Sequence, residues 1–138
     1  MKRNDIQGDV GELSAAKELK RLGADVFFPF GKSKIDIIAV VGGDTYRLQV
    51  KTASRRDGEP NTIRAILESS AAGGYEGWVD AFCIHNKYDD ENYLLWFGEA
   101  PKTSVNLCLA EPDELSKVNR QRARFASEHL LSEKFPQN

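Results

Sequence analysis

The segment from Ile35 to Thr52 constrains this fold more than any other part of the chain. Ile35 to Val41 reads Ile-Asp-Ile-Ile-Ala-Val-Val. It is apolar on both faces apart from Asp36, as suits a strand buried inside a sheet. Gly42, Gly43 and Asp44 follow, a tight hairpin signal. Thr45 to Thr52 then alternates, with Tyr46, Leu48 and Val50 on one face and Arg47, Gln49 and Lys51 on the other. Folding at the glycines makes the two strands antiparallel. Counting outward from the turn sets Asp36 opposite Gln49 or close to it, and Lys51 shares the face of Gln49. A carboxylate, an amide and an ammonium therefore converge at one end of a sheet.

The rest of the chain is expected to wrap this hairpin as one domain, residues 1–138, long enough to bury a core without staples. Ile6 to Leu22 reads as a helix with Val10, Leu13, Ala16 and Leu19 inward. Asn4 or Asp5 is its expected N-cap and Gly23 its C′ residue. Asp25 to Phe30 reads as a short strand and turn, and Ala53 to Asn61 as a polar, mobile loop. Thr62 to Ser69 fits strand and helix equally. Strands are expected at Trp78–His85, Tyr93–Phe97 and Val105–Leu109. A closing helix is expected at Lys117–Leu131, with Val118, Phe125 and Leu130 inward. Trp78, Trp96, Phe27 and Phe82 read most simply as core, and His85 and His129 as surface or partly buried residues. This order of elements predicts an α/β (α+β) domain with a mixed β-sheet flanked by helices.

Composition excludes several classes. The longest apolar run, Ile37 to Val41, is too short to span a bilayer. The first residues lack the apolar core of a secretory signal, so a cytoplasmic protein without a membrane partner is expected. Cys83 and Cys108 form no CxxC pattern, and with two histidines they match no zinc-site spacing. Both are expected to be reduced and buried. The net charge of −2 argues against indiscriminate coating of nucleic acid. Its distribution is uneven, however. Residues 1–56 hold 11 basic and 7 acidic side chains, residues 57–116 hold 3 and 12, and residues 117–138 hold 5 and 2. If the two basic ends meet in the fold, they make a cationic face.

The chemistry of the hairpin is specific. A hard cation such as Mg²⁺ takes oxygen ligands, commonly one or two carboxylates completed by phosphate and water. Asp36 offers a carboxylate and Gln49 a neutral oxygen. Lys51 can polarise a water or stabilise charge building on a phosphate. Asp9 and Glu12 share one face of the first helix. Gly8 and Gly11 beside them would let that helix approach a sheet or a phosphate closely.

At these residues the chain resembles a known family. GDVGEL (8–13), IDIIAVV (35–41) and QVKTA (49–53) resemble the PD-(D/E)XK nuclease superfamily: a Glu on the first helix, an Asp on a strand, then acidic-x-Lys on the next. The layout is similar to archaeal Holliday junction resolvases. It is closer to the branch containing a group I intron-encoded homing endonuclease, in which Gln-x-Lys replaces Glu-x-Lys. GYEGWVDAFCIHNKYDDENYLLW (74–96) and VNRQRARFASEHL (118–130) extend the likeness over most of the chain. The resemblance implies a restriction-endonuclease-like core. It also implies Mg²⁺-dependent hydrolysis of DNA phosphodiesters, with Mn²⁺ able to substitute. Glu12, Asp36, Gln49 and Lys51 would be the catalytic set, and Asp36, Glu12 and Gln49 the metal ligands. Two departures stand out: Ile35 replaces the Pro of the family name, and Gln49 replaces an acid, which lowers metal affinity unless Glu12 compensates.

DNA, duplex or branched, is the expected partner. Lys32, Ser33 and Lys34 before Asp36, Arg55 and Arg56 after Lys51, and Arg120 with Arg124 at helical spacing are the candidate contacts. One domain carries one site, so cutting both strands implies a homodimer or a higher symmetric oligomer. A non-catalytic DNA-binding or scaffold domain retaining the fold is the alternative. An RNA-directed or small-molecule enzyme on a similar sheet is a third.

Overall fold

The hairpin at Gly42–Gly43 lies at the centre of the structure, a computed structural model that describes residues 3–68 and 74–137. Helix α1 (Arg3–Arg21) leads into β1 (Asp25–Phe27), β2 (Ile37–Val41) and β3 (Asp44–Arg56). Strands β4 (Glu59–Ile66), β5 (Ala81–Asn86), β6 (Glu91–Trp96) and β7 (Ser104–Cys108) follow, then helices α2 (Lys117–Arg122) and α3 (Leu131–Lys134). Gly42 and Gly43 both take positive φ, 59° and 86°, as the two-residue turn demands. The β2–β3 register runs from Val41 opposite Asp44 to Ile37 opposite Leu48.

Strand β3 is long because it serves three partners, β2 along residues 44–48 and, from residue 48 onward, two others in turn. Residues 48–53 pair in parallel with β5, and residues 54–56 pair antiparallel with β4. The sheet is therefore mixed and forks at Ala53. One arm carries β5 and β6, and the other carries β4 and β7. The parallel pairing is pinned by Asp80. Its carboxylate accepts from the Arg47 backbone N–H (2.8 Å), Nε (3.2 Å) and Nη2 (3.0 Å), while its own N–H donates to the Arg47 carbonyl (2.8 Å). The Arg47 guanidinium holds the Asp80 carboxyl below the usual carboxylate range.

The core lies in two layers. Ala15, Leu19, Ile37, Leu48, Cys83, Leu94 and Phe135 fill the side under α1. Ile63, Leu67, Phe82, Ile84, Leu95 and Leu107 fill the other side. Helix α1 buries Leu19 and Ala16 as expected but leaves Val10 50% and Leu13 63% exposed. Gly11, Ala15 and Leu19 face the sheet instead. A Cβ built on Gly11 would stand 3.1 Å from Thr52 Oγ1 and 3.5 Å from the His85 ring. Only a small residue permits so close a helix, and that turns Val10 and Leu13 outward. Asn4 and Asp5 lie inside α1 rather than capping it. Gly23, at φ 97°, ends it as expected.

Other expectations are corrected as well. The expected loop Ala53–Asn61 is a hairpin, because Asp57–Gly58 is itself a two-residue turn with Gly58 at φ 76°. Thr62 to Ile66 is strand, while Ser69 lies outside the described residues. The closing helix Lys117–Leu131 breaks after Arg122. Phe125 must reach the core, and the edges of β7 and β6 capture the chain through Cys108 N–H to Arg124 O (2.8 Å) and Leu94 N–H to His129 O (2.7 Å). Val118 stays exposed. Phe82 is core as expected, but Trp78 and Phe27 are largely exposed. His85 is buried. Its Nδ1 lies 2.8 Å from Asn92 Oδ1, and Asn92 Nδ2 donates to Ser14 Oγ and Glu18 Oε1, both at 3.1 Å. This network fastens α1 to the β5–β6 pair. Both cysteines are free thiols; Cys83 is buried as expected, whereas Cys108, at the end of β7, is only half-buried.

Candidate active site

Asp36 sits one residue before β2, directly beyond the Ile37–Leu48 register pair and so across from Gln49. Its backbone N–H donates to Leu48 O at 2.8 Å. Its Oδ2 accepts from the Val50 N–H at 2.8 Å, which fixes the carboxylate at the end of the ladder.

Glu12 reaches the same place from above. The close seating of α1 at Gly11 brings the Glu12 carboxyl within hydrogen-bond reach of Asp36. Burial, the Asp36 charge, that hydrogen bond and Asp9 push Glu12 up to about 7. Asp36 is also raised, by burial, although the Val50 N–H, the bond from Glu12 and the Lys51 charge oppose this. Both shifts favour a proton on the pair, with Glu12 as the donor and Asp36 as the acceptor. A cavity of about 390 Å³ opens beside them, lined in part by Phe28, Lys32, Ser33 and Ile35. A larger one of about 840 Å³, between β4, β7 and α2, contains neither carboxyl.

The amide of Gln49 is oriented by its neighbours, an assignment made from the hydrogen-bond network. With its nitrogen toward the site it donates to Lys34 O and Asp36 Oδ2, both at 2.7 Å, and its oxygen accepts from the Tyr75 hydroxyl at 3.2 Å. Reversed, its oxygen would face only acceptors. Lys51 Nζ donates to the same Tyr75 hydroxyl at 2.9 Å. Tyr75 therefore ties Gln49 to Lys51, and its ring stands edge-on to Phe82 with centroids 5.6 Å apart. Sequence reasoning missed Tyr75. It lies in a connection without periodicity, and only the fold carries it to β3.

A dication is tested by the donors present. Two adjoining carboxyls, both raised above their ordinary range, make a pair whose like charge a cation would relieve, and their oxygens suit Mg²⁺ or Mn²⁺. No group of three or more His, Cys, Asp or Glu side chains gathers among the described residues. Two carboxylates completed by substrate and water fit Mg²⁺, so the residues fit the group.

The candidate DNA contacts separate. Lys32 and Ser33 line the cavity beside the carboxyls. Lys34 turns away, with Nζ donating to Gly74 O at 3.0 Å and lying 5.2 Å from the Trp78 ring centroid. Arg55 lies over the Tyr88 ring at 4.3 Å, and Arg56 pairs with Glu59 at 3.5 Å. A groove of about 500 Å³ joins Lys51 to Arg55, Arg56 and Arg64. Arg120 and Arg124 do not share a helix face, because Arg124 lies beyond the end of α2 and donates to Glu99 O at 3.3 Å.

The comparisons with known proteins follow this geometry. The bacterial homing endonuclease I-Ssp6803I superposes with a TM-score of 0.69 at 16% identity, over 93% of this chain and 91% of that one. Its fold is the fold described here. No curated protein matches the chain. The model of the PD-(D/E)XK endonuclease family matches residues 2–129, so this chain belongs to that endonuclease family.

Proposed function

We propose that the protein is a divalent-cation-dependent DNA endonuclease of the homing type, with its active site formed by Glu12, Asp36, Gln49 and Lys51. The observation that carries this reading is the carboxyl pair of Glu12 and Asp36, set beside Lys51 on the fold of an endonuclease family. Glu12 and Asp36 would hold Mg²⁺ or Mn²⁺. When bound, the cation supplies Lewis-acid activation of the phosphodiester and of the attacking water.

The chain's own residues do the rest. Asp36 is fixed through Oδ2 by the Val50 N–H and by the Gln49 amide. This geometry favours Gln49 as a donor that positions Asp36 over the oxygen-ligand role expected from sequence. Lys51, steadied by Tyr75, presents an ammonium where negative charge builds on the phosphate. Lys32 and Ser33 at the cavity mouth are placed to meet the DNA backbone.

Cleavage of both strands requires two copies. Ile6, Val10 and Leu13 form an exposed stripe at helical spacing, and Phe27, Phe28 and Phe30 are exposed as well. Apolar surface of this kind supports a homodimer or larger symmetric assembly.

Supercoiled plasmid with Mg²⁺ or Mn²⁺ tests the reading. Wild type nicks it, and Asp36→Ala and Lys51→Ala do not. Equal nicking by the variants would refute the site. The neutral Gln49 favours one second reading, a DNA-binding domain without catalysis; a shifted but intact plasmid would establish it.

A further inference from the structure

The β3–β4 hairpin has a second use that the carboxyl site does not absorb. Beyond Ala53 the chain leaves the core, and all eight residues from Ser54 to Asn61 are exposed. They form a two-stranded ribbon closed by the Asp57–Gly58 turn, and the strand entering it is the one that carries Lys51. Ser54 stands opposite Arg64 in the register. The groove along this ribbon is lined by Lys51, Arg55, Arg56 and Arg64 against one acid, Asp57. Four cations to one anion is a stronger basic bias than residues 1–56 show as a whole, 11 basic to 7 acidic, and Arg64 adds to it one of only 3 basic side chains in residues 57–116.

We propose that the β3–β4 ribbon enters the major groove of duplex DNA beside the scissile phosphate and reads base edges there, with Arg64 and Arg56 as the reading residues. The proposal rests on the endonuclease reading above and adds its recognition element. A two-stranded ribbon is one of the two protein elements that the major groove admits, and the arginine fork pairs bidentately with the guanine edge. The other side chains sort by their partners. Arg55 is held back at the root of the ribbon, where Tyr88 stacks under its guanidinium and donates no freedom to its backbone: the Arg55 N–H bonds the Tyr88 hydroxyl at 3.0 Å. Among the described residues, Arg64 makes a long contact to Ser104 Oγ, 3.3 Å, and Arg56 an exposed pairing with Glu59. Both can exchange these for a base. The Ser54–Arg64 pair lies three residues beyond Lys51 and Arg56 five, about 10 and 17 Å at strand rise. At about 3.4 Å per base pair this reaches three to five pairs from the cut.

The test selects bound duplexes from a randomised library with the full chain in Ca²⁺, for wild type, Arg64→Lys, Arg64→Ala and Arg56→Ala. Selected duplexes are then nicked with Mg²⁺ to locate the cut. Wild type is expected to enrich a motif containing guanine three to five pairs from the nick. Arg64→Lys, which keeps the charge and loses the fork, is expected to lower discrimination at one such pair about tenfold while total affinity holds within about threefold. An unchanged motif in Arg64→Lys and Arg64→Ala, or a wild type that binds without base preference, would overturn the proposal. So would a dimer that dissociates in these variants with the motif intact, because the ribbon would then be a protein contact. A motif without nicking defeats the nuclease reading and leaves the ribbon standing; nicking without a motif does the reverse.

Discussion

Replacing Glu12 by Gln should stabilise the metal-free protein at alkaline pH and leave it unchanged at acid pH. Glu12 has its pKa at about 7 in the folded chain against an ordinary 4.5. Between those two values the folded state binds the proton more tightly than the unfolded one, so stability falls as pH rises through this window and levels above it. Taken whole, the difference corresponds to about 3.4 kcal/mol. Glu12 is only half-buried, and solvent screening reduces this to roughly 1–2 kcal/mol. Gln cannot ionise and keeps a donor for Asp36, so it removes the repulsion while preserving shape. For a chain of this size the gap should be roughly 3–8 °C in Tm. The assay is thermal unfolding of EDTA-treated wild type and Glu12→Gln at steps from about pH 5 to about pH 8. The curves should coincide at the acid end and diverge upward, with the variant melting higher. Added Mg²⁺ should raise wild type at the alkaline end and leave the variant unmoved. A gap that does not change with pH would refute the shared-proton pair.

Three further perturbations test how the site is held. Tyr75→Phe keeps the ring on Phe82 and deletes the hydroxyl that joins Gln49 to Lys51; the nicking rate at saturating Mg²⁺ should fall roughly tenfold, with Mg²⁺ affinity by calorimetry unchanged, and a normal rate would remove Tyr75 from the site. Gly11→Val forces side-chain atoms into the 3.1 Å approach to Thr52; it should cost about 1–3 kcal/mol by denaturant titration and abolish Mg²⁺ binding by lifting Glu12 off Asp36, whereas retained binding would show that the helix contact is dispensable. Val10→Lys with Leu13→Lys charges the exposed face of α1; light scattering should report a monomer where wild type associates, and an unchanged mass would place the interface elsewhere.

Much of the site was legible because strand geometry is local. Two glycines fix the turn, the turn fixes the register, and the register sets Asp36 across from Gln49 with Lys51 on the same face. The Asp57–Gly58 turn carried the same kind of signal and was hidden by the polar residues around it. What stayed illegible depended on contacts distant in sequence. The inward face of α1 is chosen by how closely Gly11 fits Thr52 and His85, not by where the bulky side chains recur. The Arg120–Arg124 spacing presumed a continuous helix, but burial of Phe125 against β7 breaks it. Tyr75 comes to Lys51 only because β5 pairs in parallel with β3 and carries the preceding connection with it.

Gln49 is the position at which sequence and structure together say more than either alone. An acid there would make a third carboxyl, but the Gln49 side chain ends 2.7 Å from both the Lys34 carbonyl and Asp36 Oδ2. Those two acceptors need a donor, and an amide nitrogen supplies one. Gln49→Glu would set a carboxylate against them. In the absence of metal this should cost about 1–3 kcal/mol, the penalty of a partly buried acceptor without a partner, and should push Glu12 still higher by adding a like charge. With metal the sign reverses, because the extra charge favours a dication. The measurable quantity is the Mg²⁺-induced rise in Tm, which should be larger in Gln49→Glu than in wild type although the variant starts lower. A variant that melts like wild type without metal would mean the Gln49 amide does not hold Asp36. A smaller rise would mean the site is built for two carboxylates and not three. On the proposed cation-dependent reading, the neutral residue would trade some cation affinity for a carboxylate already held in place before a cation arrives.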